Sequence, residues 1–198
     1  MSTLIFATNN QHKADEVRAV LAGKWDILTL AEAGIEKDIP EPHDTLEANA
    51  AEKSRTIFEL TGKDCFSEDT GLEVEALNGE PGVKSARYAG EGRSFEQNII
   101  KLLNRLEGQQ NRKARFRTVI SLILDGAEYQ FEGICNGIII DKNRGTAGFG
   151  YDPVFVPDGD TRTFAEMDMA EKNLFSHRKK AMDKLIRFLE NRSRPGVN

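Results

Sequence analysis

The chain has 198 residues, 39% of them hydrophobic and 30% charged, with 17 Gly, 6 Pro and a formal net charge of −5. That length allows about 70% of the unfolded surface to be buried, and the composition excludes collagen, coiled-coil, low-complexity and disordered chains. The apolar runs fall far short of the ~20 residues of a membrane-spanning helix, and the negative charge gives no basic footprint for a nucleic-acid polymer.

Leu4-Ile5-Phe6-Ala7 predicts a strand, Thr8-Asn9-Asn10 a polar loop, and Ala14, Val17, Val20 and Leu21 a helix running to Gly23. No basic n-region precedes Leu4 and no delivery signal is visible, so a cytoplasmic protein is expected. Residues 25–30 read as a second strand, and 36–44, with Pro40 and Pro42, as a loop. Asp44 with Glu47 caps a helix that Gly62 closes, its inward stripe being Leu46, Ala50, Lys53, Ile57 and Leu60. Residues 65–75 read as strand, turn and strand around Glu68-Asp69-Thr70-Gly71, followed by a Gly- and Pro-rich loop over 78–92. Ser94 with Gln97 caps a helix carrying Phe95, Ile99, Leu102, Leu103 and Leu106. Residues 116–124 and 128–140 are strands joined across Asp125-Gly126, a strong hairpin signal. Gly145, Gly148 and Gly150 precede Val154-Phe155-Val156, and Ser176 caps a last helix with Ala181, Leu185, Phe188 and Leu189 inside. Cys65 and Cys135, without a CxxC or nearby ligand pattern, read as small buried hydrophobes. The expectation is one α/β domain over 1–198, in two lobes, with a mixed sheet.

Several charges sit where a bare helix or core would not favour them. Lys13 follows Thr8-Asn9-Asn10-Gln11-His12 at the start of the first helix, and His177-Arg178-Lys179-Lys180 fill the first turn of the last, with Lys172 upstream. Cations at a helix N-terminus oppose the helix dipole unless an anion shares the site. They are either solvated basic turns or the two ends of a phosphate site. Lys53, on an apolar stripe, either snorkels to water or meets an anion such as a phosphate oxygen. Glu41 and the adjacent Glu68-Asp69 are concentrated acids; neighbouring carboxylates at a strand end repel, and Mg²⁺, which takes oxygen ligands and phosphates, removes that cost. Gly148-Phe149-Gly150-Tyr151-Asp152-Pro153 allows close backbone approach and offers aromatic faces for a base, or simply packs. No GxxxxGK[ST], GxGxxG, GxSxG or HExxH motif is present.

Taken together, Thr8 to Lys13, Ser67-Glu68-Asp69-Thr70-Gly71-Leu72, the run from Gly82 to Gly90, Gly148 to Pro153, Phe164-Ala165-Glu166-Met167 and Ser176-His177-Arg178 resemble the signature blocks of the inosine triphosphate pyrophosphatase, or HAM1-like, family. The resemblance implies an elongated two-lobed α/β fold with a mixed β-sheet flanked by helices. It also implies a homodimer and Mg²⁺-dependent hydrolysis of dITP, ITP and XTP to monophosphate and pyrophosphate. By position, Thr8, Asn9, Asn10, Gln11, His12 and Lys13 would hold the triphosphate, Asp69 would be general base and metal ligand, and Glu41 a further metal ligand. Thr70 would touch substrate, Phe149, Gly150, Tyr151 and Asp152 would hold the base, and Lys172, His177 and Arg178 would complete the contacts. The chain departs from the common pattern at Ala48-Asn49-Ala50, where many members carry Glu-Asn-Ala, and at Glu68, where many carry Asp. Carboxylates at Glu41 and Asp69 set an enzyme apart from a polyphosphate-binding module, and the product, pyrophosphate or phosphate, sets it apart from a nucleotide phosphatase.

Overall fold

The computed structural model describes residues 3–21 and 25–192, so the expected helix stop at Gly23 lies outside the described residues. A seven-stranded mixed sheet forms its spine, built from β1 (Thr3–Phe6), β2 (Asp26–Thr29), β3 (Cys65–Val74), β4 (Pro81–Gly82), β5 (Lys113–Leu124), β6 (Ala127–Ile139) and β7 (Phe155–Pro157). The order is β2-β1-β3-β5-β6-β7, with β4 on the β1 side of β3. β1 runs parallel to β2 and β3, and every later pairing is antiparallel. Asp125 and Gly126, both at positive φ, turn β5 into β6 as the dipeptide predicts.

Among the described residues five α-helices accompany the sheet: α1 (Gln11–Leu21), α2 (Leu46–Thr61), α3 (Phe95–Arg105), α4 (Met169–Lys172) and α5 (His177–Arg192). The pleat sorts their cores. Phe6, Phe66, Ile120 and Leu122 point towards α1 and α5, meeting Val17, Leu21, Ala181, Met182, Leu185 and Leu189. Ile5, Ala7, Cys65 and Ile123 point the other way, where Ile57 of α2 packs. A separate core, with Leu72, Val74, Phe116, Leu102, Phe155 and Phe164, occupies the far end of β3 and β5. The middle of β3 lies between these cores.

Three expectations change. Residues 65–74 form one unbroken strand rather than two around a turn. The α2 cap is Thr45, whose hydroxyl accepts from the Ala48 amide, one residue after the expected Asp44. Leu60, placed on the buried stripe, is 53% exposed in the last turn of α2, where Phe58 rather than Leu60 packs against the core.

β6 meets α5 so closely that a Cβ on Gly133 would overlap the His177 carbonyl oxygen and stand 2.6 Å from the Ala181 amide nitrogen. Gly133→Ala should therefore cost ~1–3 kcal/mol as overpacking and lower Tm by about 3–10 °C in a thermal melt. An unchanged Tm would contradict this seating of α5.

Candidate active site

β3 is paired with β5 along its whole length, but its other edge is not. β1 stops at the Phe6–Phe66 pair and β4 begins at Leu72–Gly82, leaving the edge of residues 67–71 open. A cleft of about 380 Å³ fills this gap, at the carboxyl end of the parallel strand β1, the usual position for a ligand in an α/β sheet. Thr8, Asn9, Asn10, Lys13, Glu41, Lys53, Asp69, Thr70, Phe149, Gly150, Tyr151, Asp152, Lys172, His177 and Arg178 all line it. Gln11 and His12 do not. Gln11 is exposed and donates to Asp15 Oδ1 at 2.6 Å, while His12 lies flat against Phe149 with ring centroids 5.0 Å apart.

The turn after β1 is tied by its own side chains. The Thr8 hydroxyl accepts from the Asn10 amide at 3.0 Å, and Asn10 Oδ1 accepts from the Lys13 amide at 3.2 Å. Asn10 is thus the α1 cap, and the first-turn amides of Gln11 and His12 have no intrahelical acceptor.

Glu68 and Asp69, read as a repelling pair at a strand end, sit mid-strand and point to opposite faces, because side chains alternate along a strand. Each face has its own cations. On the α5 face Glu68 Oε2 accepts from Arg178 Nε at 2.6 Å, its Oε1 from Arg178 Nη2 at 3.0 Å, and Lys13 Nζ lies 3.0 Å away. Burial alone would raise the Glu68 pKa, but Arg178 and Lys13 outweigh it and hold the carboxyl well below its usual range. On the α2 face Lys53 Nζ donates to Glu41 Oε1 and to the Glu68 carbonyl, each at 2.6 Å, and stands 3.7 Å from Asp69 Oδ1. Lys53 thus neither snorkels nor waits for a phosphate; it is buried as counter-ion to both acids.

Asp69 Oδ2 is buried without a hydrogen-bond partner. Desolvation, with help from Glu41, outweighs Lys53 and raises its pKa to about 6. Glu41 is held in place by its loop: Arg87 Nη2 donates to the Glu41 carbonyl at 3.2 Å, and the Asn49 side chain bonds both His43 backbone groups.

The last helix also corrects an expectation. Its first-turn cations are not left for an external anion. Arg178 is 2% exposed and forked between Glu68 and Glu16, Lys179 pairs with Asp183, and Lys180 donates to the Ile134 carbonyl. Lys172 is likewise bonded, to Glu16 Oε1 at 2.6 Å and Asp152 Oδ2 at 2.7 Å. Burial, reinforced by Arg178 and Lys172, pushes the His177 pKa well down, so this imidazole is neutral; it stacks on Phe116 and its Nδ1 has no partner.

The aromatic loop is locked rather than loose. Asp152 Oδ2 accepts from the Phe149 amide at 3.1 Å, and Tyr151 donates its hydroxyl to the Ser85 carbonyl at 2.7 Å. Gly148, at φ 73°, leaves no room for a Cβ against the Asp152 carboxylate.

Sequence reasoning missed Glu16, the buried acid that bridges Arg178 and Lys172; its only sequence signal is a position three residues after Lys13, beside the apolar stripe. It also missed Asn98, which staples the Ser85, Ala86 and Ala89 backbone, and the rim residues Lys37, Arg93 and Phe95.

A strand-end cleft that holds a raised-pKa carboxylate among buried lysines has the construction of an α/β enzyme that moves a proton beside an anionic ligand. The Ham1 family model matches residues 4–188, and the chain belongs to that family. It is 48% identical over 186 residues to a dITP/XTP pyrophosphatase of Flavobacterium johnsoniae, covering 94% of this chain and 97% of that protein. The corresponding protein of Porphyromonas gingivalis is 52% identical over 190 residues, with 96% and 98% covered. Among solved structures, the Staphylococcus aureus Ham1 protein superposes with a TM-score of 0.87 at 38% identity, over 96% of this chain and all of that one. A HAM1 protein from Coxiella burnetii gives 0.88 at 35%, over the same shares.

The buried Asp69 makes a prediction with a definite sign. Its folded pKa of about 6 lies above its ordinary value, so its contribution to stability is full below about pH 4 and is lost as pH rises through 6. Asp69→Asn, which cannot ionise, should be more stable than the parent by about 2–3 kcal/mol at pH 8. Urea unfolding at several pH values should show the advantage shrinking towards pH 4; an advantage that grows on acidification would contradict the assignment.

Proposed function

We propose that the protein hydrolyses the non-canonical purine nucleotides dITP, ITP and XTP to the nucleoside monophosphate and pyrophosphate. The relatives named dITP/XTP pyrophosphatase support the substrate class, and the observation that carries the chemistry is Asp69, a cleft-lining carboxylate beside Lys53 and Glu41 whose Oδ2 is buried without a hydrogen-bond partner. The family resemblance also supports a homodimer, a single two-lobed domain and a cytoplasmic place of action. Among the described residues no helix is long and apolar enough to cross a membrane.

Hydrolysis needs a water fixed in line with the scissile phosphorus and a group to take its proton. Asp69 accepts the proton at Oδ2; a pKa near 6 leaves it ionised at neutral pH yet basic enough to act. Lys53 holds Asp69 and Glu41 in place and offsets negative charge. The turn of Thr8 to Lys13 receives the phosphates through the free first-turn amides and the Lys13 ammonium.

The donors also suit Mg²⁺. Among the described residues no group of three or more His, Cys, Asp or Glu is placed to hold a metal, but Glu41 and Asp69 offer hard carboxylate oxygens, one of them unbonded. These two would hold the ion, with phosphate oxygens and water completing its shell. It would supply charge neutralisation and acidify water.

Base choice rests on the 6-position. Hypoxanthine and xanthine present an oxygen there, adenine an amino group, so a donor favours the former. Arg178, which lines the cleft, makes four hydrogen bonds, to Glu16, Glu68 and Thr70, and its fifth N–H is our candidate donor to that oxygen. The Phe149 ring, backed by His12, offers a stacking face.

Phosphorus NMR of the products should show pyrophosphate and no orthophosphate; orthophosphate would point to a phosphatase instead. Asp69→Asn should lower kcat by at least about 10²-fold with a small change in KM. The acid limb of the kcat/KM profile should break near pH 6. Full activity in that variant would remove Asp69 from its role.

A further inference from the structure

The charge balance of the cleft leaves a need that its inner residues do not meet. Four buried or half-buried cations, Lys13, Lys53, Lys172 and Arg178, face five carboxylates, Glu16, Glu41, Glu68, Asp69 and Asp152, and each cation is already within ion-pair distance of at least one of them. Four against five is one net negative charge with all groups ionised. A triphosphate tail entering this group adds several more, and the inner cations cannot answer it fully without releasing their acids.

The rim carries charge that is not spent. Lys37 and Arg93 both line the cleft, both are exposed, and neither side chain makes a hydrogen bond or ion pair among the described residues. Asp38, also on the rim, offsets part of the charge of the neighbouring Lys37, so Arg93 is the stronger cation. Its position is defined at both ends. On one side it is near enough to Glu41 to help, behind Lys53 and Lys13, to lower a pKa that burial alone would raise. On the other, two residues along, Phe95 lines the cleft and packs 6.1 Å from Phe149. The lip from Arg93 to Phe95 thus runs from the acid end of the cleft to the aromatic end. Arg93 also holds φ at 51°, a left-handed conformation that an arginine adopts at a cost glycine or asparagine would avoid.

We propose that Arg93, seconded by Lys37, is the outer phosphate contact of this site, binding the part of the tail that the internally paired cations leave unneutralised. The assignment rests on the triphosphate reading above. A guanidinium presents a planar fork to two phosphate oxygens and is charged at any working pH. Because the Arg93 guanidinium has no partner among the described residues, while its backbone amide is anchored to the Gly90 carbonyl at 3.2 Å, the side chain can move onto the ligand without breaking an existing pair.

The test compares ligands with and without a tail. Arg93→Gln should raise KM for dITP, and weaken inhibition by inorganic tripolyphosphate, roughly tenfold, the loss of one charge-assisted contact. kcat should stay within about twofold, and inhibition by inosine monophosphate, which lacks the outer phosphates, should not move. Arg93→Lys should recover most of the loss, and Lys37→Gln should show a smaller version of it. A merely structural arginine would shift the monophosphate and the tripolyphosphate alike and lower Tm. An Arg93→Gln enzyme with unchanged KM and tripolyphosphate inhibition overturns the assignment. A parent protein inert towards dITP, ITP and XTP overturns the triphosphate reading instead, and calorimetric titration of tripolyphosphate into parent and variant then still decides whether Arg93 binds it.

Discussion

The guanidinium of Arg178 is the constraint on which the site depends. It is buried between Glu68 of β3 and Glu16 of α1, and through Glu16 it reaches Lys172 and so Asp152 of the aromatic loop. The partners are 110 and 162 residues away in the chain. Buried ion pairs of this kind add little net stability, since desolvation consumes the attraction, but removing one partner strands a charge at ~3–5 kcal/mol. Their effect is to fix positions. One planar group with donors on three sides holds a strand, two helices and a loop at set angles, and the cleft is the space left among them.

Around that anchor, one peptide bond separates two acids with opposite duties. Glu68 is clamped by Arg178 and Lys13 and stays ionised far below neutrality. Asp69, across the sheet, is desolvated, shares Lys53 with Glu41, and titrates near 6. Environments that push two carboxyls apart in this way separate a structural anion from a proton acceptor. The strand pleat performs the separation: had residues 68–71 been a turn, both carboxylates would have shared one solvent shell and one set of cations.

What the sequence disclosed follows from the range of the forces involved. The hairpin at Asp125-Gly126 and the caps at Ser94 and Ser176 are written within four residues, and all three stand. Gly71 misled, because glycine usually marks a turn. Here it marks a strand residue whose Cβ would come within 2.6 Å of the Gly82 carbonyl oxygen on β4, an approach that no local pattern reveals. Lys53 stood out as an ammonium on an apolar stripe, yet its partners belong to a loop and a strand that the stripe does not name. Glu16 was invisible for the same reason, and the first turn of the last helix read as either solvated or anion-binding because the inside anions of Arg178 lie over a hundred residues upstream. The blocks that place Thr8, Asp69, Phe149 and Arg178 around one cleft were legible as a set, well before any single one explained itself.

The open stretch of β3 also sets how the molecule can flex. Its two cores are joined by no linker; the ladder from Cys65–Ile123 to Val74–Ala114 passes without interruption beneath the cleft. The two walls of the cleft are therefore carried on one ladder of ten consecutive strand pairs, with no single pivot between them.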